Sequence, residues 1–163
     1  MRAHDFCILY VEDDENDIRL AKFAAEPAGV SECLQIVSSG PQAIDYLQGR
    51  GPYAERLKFP FPKVVLLDLR MPRMNGLDLL RWLRSQPDLI GLVAIVFTAS
   101  AHPDDIIRAC ELGANAFVQK PSRQGELIEF LRLVKAFWSG FHQSPSLKLR
   151  PLLSELAKPE LNP

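Results

Sequence analysis

The sequence predicts an α/β protein with a doubly wound parallel sheet of five strands and helices on both faces. Short apolar runs alternate with helical patterns five times along the chain. The runs are continuously apolar, which is typical of strands buried on both faces of a parallel sheet. Right-handed crossovers between such strands favour the flavodoxin-like strand order 2-1-3-4-5.

Five segments carry the strand pattern. They are rich in Val, Ile, Leu and Phe, and polar or turn-forming residues bound them. The predicted strands cover residues 6–11, 33–37, 64–68, 92–97 and 116–118.

Helical spacing of apolar residues occupies the intervals between these strands. Capping residues and prolines mark where the helices begin. The first four predicted starts are Asp14 or a neighbour, Pro41, Asn75-Gly76 and Pro103. Gly113 is a predicted C-terminal cap for the fourth helix, and the last helix is expected over residues 122–138.

Length and charge limit the classes of function. The 163 residues suit one domain, and 47% apolar with 24% charged content is ordinary for a globular protein. A net charge of -1 gives no indication of direct DNA binding or of an anionic membrane surface, and no apolar run is long enough to span a bilayer. We expect a cytoplasmic protein whose three scattered cysteines are reduced.

Polar residues follow several strands at the sheet edge where ligands bind in such folds. The first strand ends in Glu12, Asp13 and Asp14, and the third ends in Asp68. Thr98 follows the fourth strand and Lys120 the fifth. Since the strand order reverses between strands one and three, these side chains are expected to converge at one edge.

Clustered carboxylates repel one another strongly unless a cation is present. At about 4 Å and an effective dielectric constant near 20, the repulsion is ~4 kcal/mol. Oxygen ligands favour Mg²⁺, which keeps coordination positions for water and phosphate oxygens. The sequence therefore predicts a phosphoryl site in which Asp68 is the nucleophile, with the Asn75-Gly76 turn letting the backbone pass close to the ligand.

With these motifs in order, the chain resembles the receiver domain of two-component response regulators. The resemblance runs from about residue 6 to residue 138 and rests on four segments taken together. They read VEDD, LLDLRMPRMNG, FTAS and FVQKPS. It implies that a histidine kinase phosphorylates this chain, which is then a signalling protein that supports its own phosphorylation and dephosphorylation.

The resemblance also implies a role for each site residue. Asp68 is the phosphoacceptor, Thr98 the switch hydroxyl, Phe117 the switch aromatic and Lys120 the cation that contacts the phosphoryl group. The implied Mg²⁺ ligands are Glu12 acting through water, Asp13, Asp68 and the backbone carbonyl of Arg70. A cis peptide bond is implied between Lys120 and Pro121.

Two other classes of function are weighed against this one. A Mg²⁺-dependent phosphohydrolase with an aspartyl nucleophile, of the dehalogenase-like kind, needs a second carboxylate two residues after Asp68, where this chain has Arg70. A receiver-like module that binds a partner constitutively would lack one of the acids, the acceptor or the lysine, and this chain retains them all. Each acid taken alone is also typical of a plain structural role. Asp68 could be a helix cap, and Glu12, Asp13 and Asp14 could be a solvated helix start.

The ends of the domain indicate a subtype. Residues 1–140 are expected to form the receiver domain, and residues 141–163 a tail without a separate output domain. The loop at residues 49–62, with two glycines and three prolines, resembles single-domain regulators of bacterial phytochrome-type histidine kinases.

The last predicted helix carries more apolar surface than one buried face requires. Its apolar arc covers roughly 220°, against ~100° or more for a helix with one buried face. Leu133 and Phe137 lie on the excess part, so we expect a homodimer interface there. The alternative is that leucines of the tail cover the same surface.

Overall fold

Five apolar segments form one parallel sheet in the computed structural model, which describes residues 6–141. The strands are β1 (Ile8–Val11), β2 (Leu34–Val37), β3 (Val64–Leu67), β4 (Val93–Thr98) and β5 (Ala116–Gln119). They lie in the order β2-β1-β3-β4-β5, which confirms the predicted doubly wound topology. Val11 pairs with both Val37 and Leu67, so the first three strands end at the same level.

Helices cover both faces of the sheet. They are α1 (Glu15–Ala25), α2 (Gly40–Gln48), α3 (Gly76–Ser85), α4 (Pro103–Glu111) and α5 (Gln124–Ala136). Short 3₁₀ turns lie at Gly51–Tyr53 and Pro87–Leu89, and a π-helical turn, Phe137–Phe141, follows α5. One apolar cluster packs under α2, α3 and α4, and a second packs under α1 and α5.

Side-chain caps fix the starts of the helices that carry the site. Asp14 accepts hydrogen bonds from the backbone N–H groups of Asn16 and Asp17, as predicted for the first helix. Asn75 caps α3 in the same way through the N–H of Asp78. Helix α2 begins one residue before the predicted Pro41, because the Ser39 hydroxyl supplies the cap.

The loop predicted over residues 49–62 is anchored to the end of α2. Arg56 donates hydrogen bonds of 2.8 Å to the backbone oxygens of Tyr46 and Leu47, which lie in the last turn of the helix. The Tyr46 hydroxyl donates to the Pro60 oxygen at 2.8 Å. These contacts hold the loop against the body of the domain.

The predicted tail, residues 141–163, lies outside the described residues except for Phe141. The predicted domain boundary and the packing of the tail therefore remain predictions. Among residues 6–141, no helix has the length and apolarity needed to cross a membrane.

Candidate functional site

Three carboxylates meet at the carboxyl ends of β1 and β3. Glu12, Asp13 and Asp68 each offer an oxygen, and these oxygens lie within 4.8 Å of one another. The backbone brings them together, since Asp68 N–H donates to the Val11 oxygen at 3.1 Å. Glu12 and Asp68 are buried and Asp13 is half-buried. Carboxylates so close and so poorly hydrated fit a divalent cation.

The carboxylates of Asp13 and Glu12 differ in the hydrogen bonds that their oxygens accept. Glu12 accepts hydrogen bonds from the Tyr10 hydroxyl at 2.8 Å and from the Asp14 N–H at 3.0 Å. Burial raises the pKa of Glu12, and these bonds together with Lys120 oppose that rise. Within residues 6–141 the Asp13 side chain has no hydrogen-bond or ion-pair partner, so its carboxylate is available to a metal.

Lys120 is the cation of the site. Its backbone N–H donates to the Thr98 oxygen at 2.8 Å, which holds the end of β5 against β4. Its ammonium contacts Glu12, lies 2.7 Å from Asp17 Oδ2 and is 3.5 Å from Asp68 Oδ1. Burial alone would lower the pKa of Lys120, but the hydrogen bonds to Asp17 and Glu12 and the nearby negative charges raise it overall.

The Thr98 hydroxyl is a buried polar group without a partner among the described residues. A buried hydroxyl left unpaired costs about 1–3 kcal/mol, so such groups usually have a function. Phe117 lies on β5 opposite Val96, two residues before Thr98 on β4, and is half-buried against the α2–α4 cluster. The two predicted switch residues therefore lie on the same face of the sheet.

Residue 76 has no room for a side chain, because its backbone passes very close to the backbone of Asp68. A Cβ at residue 76 would lie 2.2 Å from the Asp68 carbonyl oxygen. The turn therefore packs directly against the Asp68 segment, and its predicted close approach to a ligand stays a prediction. The turn thus supports the residue predicted to react.

The Arg70 side chain points away from the three clustered carboxylates and toward Asp105. Its guanidinium, largely exposed, donates to Asp105 Oδ2 on α4 at 2.8 Å. The predicted use of its backbone carbonyl as a metal ligand stays a prediction.

Two expectations are wrong and one residue was missed. Asp14 caps α1 and is exposed, so it is not one of the three clustered acids. No cis peptide bond occurs within residues 6–141, so Lys120–Pro121 is trans, the isomer that X-Pro bonds favour by about 0.5–1 kcal/mol. The missed residue is Asp17, which contacts Lys120. The only sequence signal for a role in the site was its position in the first turn of α1, three residues after the cap.

The surface of α5 matches the predicted excess of apolar residues. Leu127, Leu131 and Val134 are buried against the sheet. Leu133 and Phe137 are 58% and 52% exposed. An apolar surface is therefore present where the interface was predicted.

Comparison with known proteins identifies the family. Residues 8–132 match the response regulator receiver domain model. Response regulator Rcp1 of Synechocystis sp. is 31% identical over 131 residues, which cover 80% of this chain and 87% of Rcp1. A solved structure of the Mn²⁺-bound form of response regulator Rcp1 has a TM-score of 0.72 at 30% identity and covers 86% of this chain and 99% of that one.

Two further solved structures carry light-signalling names. RPA3017, described as a response regulator in red light signaling of R. palustris, has a TM-score of 0.78 and 33% identity. The phosphorylated cyanobacterial phytochrome response regulator RcpA has a TM-score of 0.74 and 28% identity. Each alignment covers 86% of this chain and 99% of the other. The chain therefore belongs to the response regulator receiver domain family.

Proposed function

We propose that this response regulator accepts a phosphoryl group on Asp68 from a histidine kinase. The carrying observation is the convergence at one sheet edge of three carboxylates, the Lys120 ammonium and the Thr98 hydroxyl, which has no partner among the described residues. In the reaction, an Asp68 carboxylate oxygen forms a bond to phosphorus. The bond from phosphorus to the donor breaks, and the donor retains the electron pair.

Glu12, Asp13, Asp68 and the Arg70 carbonyl would hold Mg²⁺ in this site. When bound, the ion supplies positive charge that offsets the charge of the phosphoryl oxygens. The Asp13 carboxylate, which has no partner in the described part of the chain, supports this assignment, as does the Mn²⁺-bound form of the relative Rcp1. Lys120 adds a second positive charge, and the same residues support removal of the phosphoryl group by water.

The Thr98 hydroxyl provides the conformational response. It donates to a phosphoryl oxygen once Asp68 is modified, which satisfies a group that has no partner within residues 6–141. Its movement opens space on the face that it shares with Phe117, and the Phe117 ring turns inward. The phosphoryl group thus biases a two-state element.

The kinase is of the phytochrome type, and the protein acts in the cytoplasm without binding DNA directly. The names of RPA3017 and RcpA support the assignment to a phytochrome-type kinase. The net charge of -1 is consistent with a protein partner in place of nucleic acid.

The protein forms a homodimer through α5. Leu133 and Phe137 present exposed apolar surface on adjacent turns, and the same helix face on two chains can form a symmetric contact.

Incubation with Mg²⁺ and a small phosphodonor tests the function by whole-protein mass. Stoichiometric addition of one phosphoryl group that is lost in Asp68→Asn is the expected result. Steady release of phosphate at high turnover would instead indicate the phosphohydrolase. An unchanged mass with every donor would indicate the constitutive binding module.

The phosphohydrolase is disfavoured by the position of Arg70. The general acid/base of that mechanism would stand two residues after the nucleophile, and an arginine does not exchange protons near neutral pH. Arg70 also binds Asp105 on α4, away from the three carboxylates.

A further inference from the structure

Lys120 binds two carboxylates, those of Glu12 and Asp17, and breaking the two contacts would cost different amounts of free energy. Glu12 is buried, and loss of its cation would leave a carboxylate without its charge partner in a poorly hydrated place. The Asp17 side chain is 33% exposed, so water can replace the ammonium there. If Lys120 moves toward a new anion, Asp17 is the partner that it can leave.

The position of Asp17 is fixed by the start of α1. Its N–H donates to the Asp14 cap at 3.0 Å, and its carboxylate lies 2.7 Å from the ammonium of Lys120. The Lys120 side chain is 12% exposed, and the small cavity beside it is lined partly by Leu20, Ala21 and Leu127. Limited hydration strengthens the pair relative to one in open solvent.

From this arrangement we propose that Asp17 is a positioning residue that holds Lys120 back from Asp68. Lys120 Nζ is 3.5 Å from Asp68 Oδ1, beyond its 2.7 Å contact with Asp17. Binding of a phosphoryl group then requires Lys120 to exchange Asp17 for a phosphoryl oxygen while it keeps Glu12. This inference rests on the proposed function of Asp68.

Two effects both predict that removal of the Asp17 charge strengthens the binding of a phosphoryl group. Lys120 no longer has a competing carboxylate, so more of its interaction is available to the phosphoryl group. The phosphoryl group carries about −1.5 to −2 charges, and one nearby negative charge that repels it is lost. Asp17→Asn should therefore stabilise the phosphoryl-bound state relative to the free state.

The test is titration with beryllium fluoride, a tetrahedral stand-in for the phosphoryl group, at saturating Mg²⁺ by calorimetry. Asp17→Asn should bind it about two- to fivefold more tightly than the wild type, the range expected for a partly exposed ion pair. Asp17→Glu keeps the charge and should stay nearer to the wild type. The matched control is Glu15→Gln, which removes the same charge from the same helix turn at an exposed residue.

A double-mutant cycle with Lys120→Gln separates action through Lys120 from a general charge effect. In the Lys120→Gln background, the gain in beryllium fluoride affinity from Asp17→Asn should shrink to the size of the Glu15→Gln effect. An equal gain in both backgrounds, or no gain at all, would overturn the role of Asp17. Failure of the wild type to bind beryllium fluoride would instead count against Asp68 as the acceptor.

Discussion

Asp13 is the acid of the site whose charge is least compensated. Lys120 lies near Glu12 and Asp68, whereas Asp13 has no partner among residues 6–141. The carboxylate assigned as a direct metal ligand is therefore also the one that most needs a cation.

Asp13→Asn should weaken Mg²⁺ binding and raise stability in a chelator. The gain in the free energy of unfolding without metal should be on the order of 1 kcal/mol, since one repulsive charge is lost from the cluster. Mg²⁺ titration and thermal unfolding in chelator measure the two effects.

Asp14→Asn is the control for this change, because asparagine also caps helices and the lost charge is the same. It should weaken Mg²⁺ binding less than Asp13→Asn does. A clearly less stable Asp13→Asn protein in chelator would show that the three acids do not repel one another as argued.

Thr98→Val should raise the free energy of unfolding of the unphosphorylated protein by about 1 kcal/mol. Valine has nearly the same shape and removes a buried hydroxyl that has no partner among the described residues. Chemical denaturation measures the change, and Thr98→Ser, which keeps the hydroxyl, is the control. A loss of stability in the valine variant would mean that the hydroxyl is satisfied in the folded protein.

The β3–α3 connection is the element on which the position of Asp68 depends. Its backbone runs against the Asp68 segment, with a 3.2 Å hydrogen bond from Gly76 N–H to the Leu69 oxygen. Asn75 then caps α3. Together, the strand, the turn and the start of the helix therefore fix the position of Asp68, the proposed phosphoacceptor.

Gly76→Ala should destabilise the fold by about 1–3 kcal/mol, because the added Cβ would lie 2.2 Å from a backbone oxygen that cannot move alone. Denaturant unfolding measures the loss. Gly125→Ala is the control: a Cβ there meets no described residue within 4 Å, and alanine in α5 should be neutral or stabilising by up to about 1 kcal/mol. Equal effects at the two glycines would contradict the close-approach argument.

Much of this architecture could be predicted because strands and caps leave local signals. Continuous apolar runs identified β1, β3 and β4, and the polar residues after them located the site. Asp17 could not be predicted, since its contact joins residues more than 100 positions apart. The close approach at Gly76 depends on the path of the backbone, which neither residue type nor spacing specifies.

At the scale of the molecule, Leu133 and Phe137 form an exposed apolar surface on and just after α5. Leu133→Glu should shift the protein toward monomer without loss of fold, because a charge in a symmetric contact meets its own copy. Light scattering over a range of concentrations measures the shift.

Leu57→Glu is the control, since Leu57 is 83% exposed on the loop after α2 and should not change the oligomeric state. A wild type that stays monomeric at high concentration would contradict the proposed dimer.

Chemical trapping of an acyl phosphate on Asp68 is the decisive test of the proposed function. The protein is treated with Mg²⁺ and a small phosphodonor, reduced with borohydride, digested and mapped by mass spectrometry. Borohydride converts an aspartyl phosphate to homoserine, so homoserine is expected at residue 68, dependent on Mg²⁺ and absent without donor. Homoserine at another aspartate, or phosphoryl incorporation that persists at full stoichiometry in Asp68→Asn, would contradict it.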